Sequence, residues 1–386
     1  MDTIKLKRIG IILMAVLIIV SAASGLVFAD TGDDAPGTEI TSEEPGTNDP
    51  GTDDPGTNDP GTDNPGTDNP GTEDPGTGNP GTGEPEPEEP AVVVPSQPVH
   101  KDGFATENGN KVYYLGGSKV TGFKKIDGST YYFAKDTGYM AKDFKKISGK
   151  TYYFSKKTGK MFTGLHKIGK NVYTFDKNGV LVRTVYGDKK AICLTWDDGP
   201  SQYTETIMKA LKDNGAKGTF FVVGNRVSKY KDTILKNYQQ GNQIGNHSWS
   251  HPVLSKMKKS SIKKQVKNTS TKIKSVIGES PKIMRTPYGI ATKKVKSNVG
   301  MPIVLWSIDT LDWKTRNATK TYNAVIKNAK DGDIVLMHDL YASTAKAAQK
   351  IIPALKKKGF QMVTVEEMAL LKGIDLKNGK VYGRMK

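Results

Sequence analysis

Two of the five histidines in this 386-residue chain, His247 and His251, stand four positions apart in the stretch NHSWSHP. On a helix or in an equivalent tight turn, both rings at that spacing can meet one divalent metal, and a carboxylate would complete the set. The Glu of a His-Glu-Xaa-Xaa-His metalloprotease helix is missing, because Ser248 and Trp249 follow His247. Other polar residues fall where apolar runs end: Asp197 and Asp198 in LTWDDGP, Arg285 in MRTPYG, Asp309 and Asp312 in WSIDTLDW, and His338 in VLMHD. Asp-Asp-Gly-Pro alone would be an ordinary turn. Three of the five histidines at such ends, however, point to a gathered site.

Something must bring these ends together. The runs AICLTW, GTFFVVG, PIVLWSID and DIVLMHD are short, β-branched and nearly continuous, as fully buried parallel strands are. Between them lie the helical stretches YTETIMKALKDN, SIKKQVKNTSTKIKSVI and YASTAKAAQKIIPALKKKG. Strand then helix, repeated over about 200 residues, predicts an α/β domain, barrel-like or doubly wound. Functional groups then gather at the carboxyl ends of the strands. The only cysteine, Cys193, lies inside AICLTW and reads as a buried strand thiol rather than a nucleophile.

Taken together and in order, these segments resemble the five motifs of the polysaccharide deacetylases, carbohydrate esterase family 4, over residues 188–372. TWDDGP stands for the family's Thr-Phe-Asp-Asp-Gly-Pro with Trp196 in place of Phe, and HSWSH, RTPY, DTLDW and LMH supply the other four. The resemblance implies a distorted (β/α) barrel. It also implies that Asp198, His247 and His251 bind a divalent metal, zinc first, with Co²⁺, Ni²⁺ or Mn²⁺ as alternatives. Asp197 would be the general base on metal-bound water, whose pKa the metal lowers. His338 would protonate the leaving amine. Arg285 would hold Asp197 ionised, and Asp312 would favour the imidazolium of His338. The backbone N–H of Tyr288 would stabilise the oxyanion. Trp313 and Leu336 would wall a slot for the acetyl methyl, with Pro287 beside them in the substrate site.

Upstream, residues 103–184 repeat at about 20-residue spacing, as in GFKKIDGSTYYFAKDTGYMAK and DFKKISGKTYYFSKKTGKMFT. Each unit offers two short strands around a Gly turn, so neighbours must stack into a small β-hairpin solenoid. The pattern resembles the cell-wall-binding repeats of Gram-positive surface proteins. In that family's choline-binding members, aromatic rings cage a quaternary ammonium. Here Phe104, Phe123, Phe144 and Leu165 occupy the family's Trp positions. The resemblance implies wall binding through Phe123, Tyr131, Tyr132, Phe144, Tyr152 and Tyr153, the alternative being that these tyrosines pack the solenoid.

Between Pro45 and Pro85 a proline recurs every fifth residue, mostly as Pro-Gly-Thr followed by Asp, Asn or Glu. Such a segment builds no core and reads as a disordered spacer. Before it, Lys5, Lys7 and Arg8 precede an apolar run over 9–29 that ends Val27-Phe28-Ala29. That is the pattern of an export signal, and the run is also long enough for a membrane anchor. Four segments are therefore expected: 1–29 signal or anchor, 30–100 linker, 101–187 wall-binding repeats and 188–386 deacetylase domain.

Charge is divided along the chain. Residues 30–100 hold 18 acids and no Lys or Arg, whereas residues 101–386 hold 54 basic and 21 acidic residues. A basic exported body suits an anionic setting such as phospholipid headgroups or a polyanionic wall polymer. Export and the lack of a nucleic-acid motif exclude nucleic acid as partner. The expected function is removal of N-acetyl groups from N-acetylglucosamine of a cell-wall polysaccharide, peptidoglycan first. O-acetyl esterase action on xylan, chitin deacetylation, and a non-catalytic wall adhesin are the alternatives.

Overall fold

The computed structural model describes residues 101–386. The signal or anchor expected at 1–29 and the linker expected at 30–100 lie outside the described residues. The repeats form β1 (Gly103–Glu107), β2 (Asn110–Leu115), β3 (Ser118–Lys119), β4 (Gly122–Ile126) and β5 (Ser129–Phe133). They continue with β6 (Asp143–Ile147), β7 (Lys150–Phe154), β8 (Gly164–Ile168), β9 (Asn171–Phe175) and β10 (Leu181–Val185). Antiparallel hairpins pair β1 with β2, β4 with β5, β6 with β7 and β8 with β9. Their turns at Asn108-Gly109, Asp127-Gly128 and Ser148-Gly149 have positive φ at both residues, as two-residue type I′ turns require.

An isolated hairpin is marginal in water. Edge-on and tilted ring contacts within and between repeats supply the missing contacts. Phe123 lies 4.9 Å from Tyr132 in its own hairpin and 5.1 Å from Tyr152 in the next. Phe144 repeats this with Tyr153 at 4.8 Å and Tyr173 at 5.0 Å. Of the six aromatics expected at a wall ligand, Tyr131, Tyr152 and Tyr153 are buried in this packing. Tyr132 and Phe144 are half-buried, and Phe123 is exposed.

The α/β region contains β11 (Ala191–Asp197), β12 (Thr219–Val222), β13 (Gln243–Asn246), β14 (Ile303–Val304), β15 (Ile308–Asp309), β16 (Ile334–His338), β17 (Gln361–Met362) and β18 (Val381–Tyr382). Its helices are α1 (Thr204–Asp213), α2 (Lys231–Gln239), α3 (Lys259–Ile277), α4 (Lys293–Lys296), α5 (Asp312–Thr315), α6 (Ala318–Asn328), α7 (Ala342–Lys357) and α8 (Val365–Leu371). The parallel sheet runs β13-β12-β11-β16-β15. Met284 closes the ring, bridged in parallel to Asn246 on one side and to Ile303 on the other. β17 pairs with Ala191 and Ile192, while β12 pairs with Thr195, Trp196 and Asp197. The barrel is thereby distorted at its amino end.

Strand alternation sorts the side chains. Along β11, Ile192, Leu194 and Trp196 pack outward with Ile207, Leu211, Ile351 and Leu355 of α1 and α7. Ala191 and Cys193 join a second cluster with Phe221, Ile334 and Val304. Thr195 and Asp197 share that inner face by period two. α7 is helical because Ala345, Ala348, Ile352 and Leu355 recur at three- to four-residue spacing on its buried side. Fully burying a residue such as Leu355 contributes about 1.5–3 kcal/mol.

One expected strand is split. PIVLWSID forms β14 and β15, separated by Leu305, Trp306 and Ser307. The carbonyls of Val304 and Leu305 accept from the Arg285 guanidinium, which draws them out of a continuous ladder. The last repeat also shares the core of the α/β region: Val172 and Val185 lie in the cluster of Cys193, Val363 and Met368.

Candidate metal and acid–base site

Asp197 ends β11, and Asp198 turns away from it with φ 68°. β13 delivers His247, after which the chain turns through Ser248 and His251, also with positive φ. The two histidines thus meet through a tight turn, not a helix. Asn246 fixes that turn: its amide donates to Val266 and Ser270 of α3, and its oxygen accepts from the Ser248 N–H. Of ten non-glycine residues with positive φ among the described residues, Asp198, Ser248, His251, Tyr288 and Leu311 lie in or beside this site. Such backbone costs of order 1–3 kcal/mol a residue and concentrates where function over-determines the chain.

The donor atoms converge. Asp198 Oδ1 is 3.3 Å from Nε2 of His247 and 3.3 Å from Nε2 of His251. One ligand atom from each of the three residues falls within 4.8 Å of the others. His247 donates from Nδ1 to the Arg285 carbonyl at 2.7 Å, which frees Nε2 to ligate. Asp198 Oδ1 is buried and has no hydrogen-bond partner. A buried acceptor in that state is costly unless a cation meets it. Two imidazole nitrogens, one carboxylate and an orphaned oxygen fit a divalent metal. Burial alone would raise the Asp198 pKa, but the His247 ring, with His251 and His338, holds it down at about 2.

Asp197 is organised differently. Its Oδ1 accepts from Arg285 Nη1 at 2.8 Å, and its Oδ2 lies 3.7 Å from His247 Nε2. Arg285 is fully buried. It spends its remaining donors on Thr195 Oγ1, Val304 O and Leu305 O, and its plane faces the Phe221 ring at 4.3 Å. Each guanidinium nitrogen makes at least one hydrogen bond, which favours the buried pair. The arrangement orients Asp197 through Oδ1 and leaves its Oδ2 free of Arg285.

His338 approaches from β16. Its Nδ1 bonds Asp312 Oδ1 at 2.8 Å. Asp312 Oδ2 accepts from the His338 N–H and from Thr344 Oγ1. Burial would lower the His338 pKa, but hydrogen bonding and charge from Asp312 outweigh it and raise the value. Asp312, buried too, is lowered by the same bond. The pair is therefore imidazolium and carboxylate over a wider pH range than a free histidine would allow.

Asp197, Asp198, His247, His251 and His338 line one cavity of about 370 Å³ with Trp306, Asp309, Trp313, Leu336 and Tyr341, while Arg285 and Asp312 stand behind it. Larger clefts of about 600 and 690 Å³ lie beside the last repeat, but they gather no histidine. Trp313 and Tyr288 are exposed at the rim, the latter with its ring 4.7 Å from His251. Leu336 is buried and reaches the cavity. Pro287 does not line it: it is buried, and it precedes the left-handed Tyr288. Trp306, Tyr341, Thr195 and Thr344 are site residues that sequence reasoning missed. Thr195 carried a signal, since it shares the inner face of β11 with Asp197; Trp306 was hidden inside an apolar run.

Comparison with known proteins agrees with this geometry. A polysaccharide deacetylase family model matches residues 184–302, and a choline-binding repeat model matches residues 120–163. A peptidoglycan-N-acetylmuramic acid deacetylase of Bacillus subtilis is 39% identical over 190 residues, covering 49% of this chain and 41% of that protein. A peptidoglycan-N-acetylglucosamine deacetylase of Listeria monocytogenes is 40% identical over 194 residues, covering 50% and 41%. A peptidoglycan-N-acetylglucosamine deacetylase of Bacillus cereus is 35% identical over 189 residues, covering 47% of this chain and 69% of that protein. The chain thus spans well under half the length of the first two relatives. With all five motifs converging on one cavity, and with more than two thirds of the third relative matched at that identity, the chain belongs to the polysaccharide deacetylase family.

Proposed function

We propose that this protein is a metal-dependent hydrolase that removes N-acetyl groups from N-acetylglucosamine in cell-wall peptidoglycan. The observation that carries the reading is the side-by-side placement of an orphaned Asp198 oxygen between two histidines and an Arg-held Asp197, with His338 lining the same cavity. Asp198, His247 and His251 would hold the metal, and zinc suits two imidazoles and one carboxylate. A bound divalent ion would supply Lewis-acid polarisation and a water that ionises near neutral pH. Asp197 accepts the proton of the attacking water while Arg285 keeps it aimed. His338 donates a proton from Nε2 to the departing amine, since Nδ1 is committed to Asp312. Without that proton the amide nitrogen would leave as an anion. The Tyr288 backbone N–H would steady the developing oxyanion, and Trp313 with Leu336 would take the acetyl methyl.

The wall setting is supported by the choline-binding repeat match and by the named substrates of the relatives. We place the protein at the surface of a Gram-positive cell, exported through residues 1–29, with the repeats at 101–187 holding a wall polymer. The test is acetate release by zinc-loaded protein from purified peptidoglycan, chito-oligomers and acetylated xylan. Release from peptidoglycan and chito-oligomers, abolished by a chelator and restored by zinc, is expected. Release from xylan alone would replace the amidase reading with an esterase, and no release from any of them would leave a wall adhesin.

A further inference from the structure

Between His251 and Asp309 the chain holds twelve lysines and Arg285 against one acid, Glu279. Arg285 is consumed by Asp197, and Lys282 pairs with Glu366 at 3.3 Å. Among the described residues, none of the other eleven lysines has a carboxylate within 4.0 Å. Helix α3 packs on the barrel through Ile262, Val266, Thr269 and Ile273. On its exposed side Lys259, Lys263, Lys267 and Lys274 fall within an arc of about 80° and extend along about 22 Å of helix axis. α4, with Lys293 and Lys296 exposed, packs beside it.

This ridge weakens its own helix. Lys259 with Lys263, and Lys263 with Lys267, are like-charge pairs four residues apart. The first turn has no acid and no side-chain cap, and Lys258 and Lys259 stand at the positive end of the helix dipole. A polyanion laid along α3 would relieve each of these penalties at once. The exposed residues among the lysines are polar, Ser260, Thr271 and Ser275, whereas helices that settle on bilayers present apolar side chains as well.

We propose that the outer face of α3, extended by α4, binds a linear phosphodiester polymer of the cell wall. The surface includes no residue of the catalytic cavity, and it shares only its wall setting with the deacetylase reading. Binding of the full chain to lipid-free poly(glycerol phosphate) is measured against salt, with vesicles containing phosphatidylglycerol as a second probe. Replacing Lys259, Lys263, Lys267 and Lys274 together by Gln is expected to weaken polymer binding at least tenfold. The slope of log affinity on log salt should fall by about 3, the share of four neutralised charges.

Arg at the same four positions should retain binding. Thermal unfolding of the Gln variant should be unchanged or later, and acetate release from a neutral chito-oligomer should be unaffected. A control variant, with Lys320, Lys327, Lys346 and Lys350 replaced by Gln on α6 and α7, should bind within twofold of the parent. Equal losses in the two variants would overturn the proposal, because net charge alone would then explain them. Ridge-dependent binding to vesicles without binding to the polymer would overturn it in favour of a membrane surface.

Discussion

In the proposed mechanism, Asp312 sets when His338 can act. The acid must be protonated, so activity should fall as pH rises through the His338 pKa, which Asp312 raises. Asp312→Asn removes that support and lowers the pKa. The basic limb of the pH–rate profile is then expected to move to lower pH, with kcat at neutral pH down by about 10²-fold or more. An unmoved limb would remove His338 from the role of acid. At Arg285 the consequence is stability as much as chemistry. Arg285→Met removes the guanidinium that pairs with buried Asp197, at an expected cost of about 3–5 kcal/mol, measured by urea denaturation of the metal-free protein. The motif residues were legible because acids and histidines stand out at the ends of apolar runs. Thr195, Trp306, Tyr341 and Thr344 were not, because each is unexceptional in type and acquires its role only from what the barrel places beside it.

At the scale of elements, close approach of strands governs the site. A Cβ on Gly245 would meet the Phe221 ring at 2.6 Å, and that ring faces the Arg285 guanidinium. Gly245→Ala is therefore expected to cost about 1–3 kcal/mol, read by denaturation, and to lower kcat by displacing Arg285. The long parallel strands β11 and β16 were legible as β-branched runs, and α1, α3 and α7 as periodic stretches. β14, β15, β17 and β18 were not legible as separate strands. Each is two residues long and exists through its partner: β17 through Ala191 and Ile192, and β18 through Ile303 and Val304. Local propensity says little about segments that short, since tertiary pairing decides them.

Across the described residues as a whole, the last repeat and the barrel are joined by an ion pair in which Glu367 is buried and Arg183 half-buried. Arg183 reaches Glu367 at 2.7 Å and also donates to the carbonyls of Gly215 and Met362. Glu367 in turn completes the capping box of α8 with Thr364. Arg183→Met should cost about 1–3 kcal/mol in urea denaturation while leaving acetate release from soluble oligomers unchanged at low temperature. A repeat array and an α/β domain were each legible from period and pattern, but this junction was not, because its partners lie 184 residues apart. The central claim concerns neighbours in sequence with opposite tasks, Asp198 as ligand and Asp197 as base. Zinc content and acetate release measured together on Asp197→Asn and Asp198→Asn test it most directly. The first variant should keep its zinc and lose turnover, and the second should lose both. Zinc lost from Asp197→Asn but retained by Asp198→Asn would contradict the account.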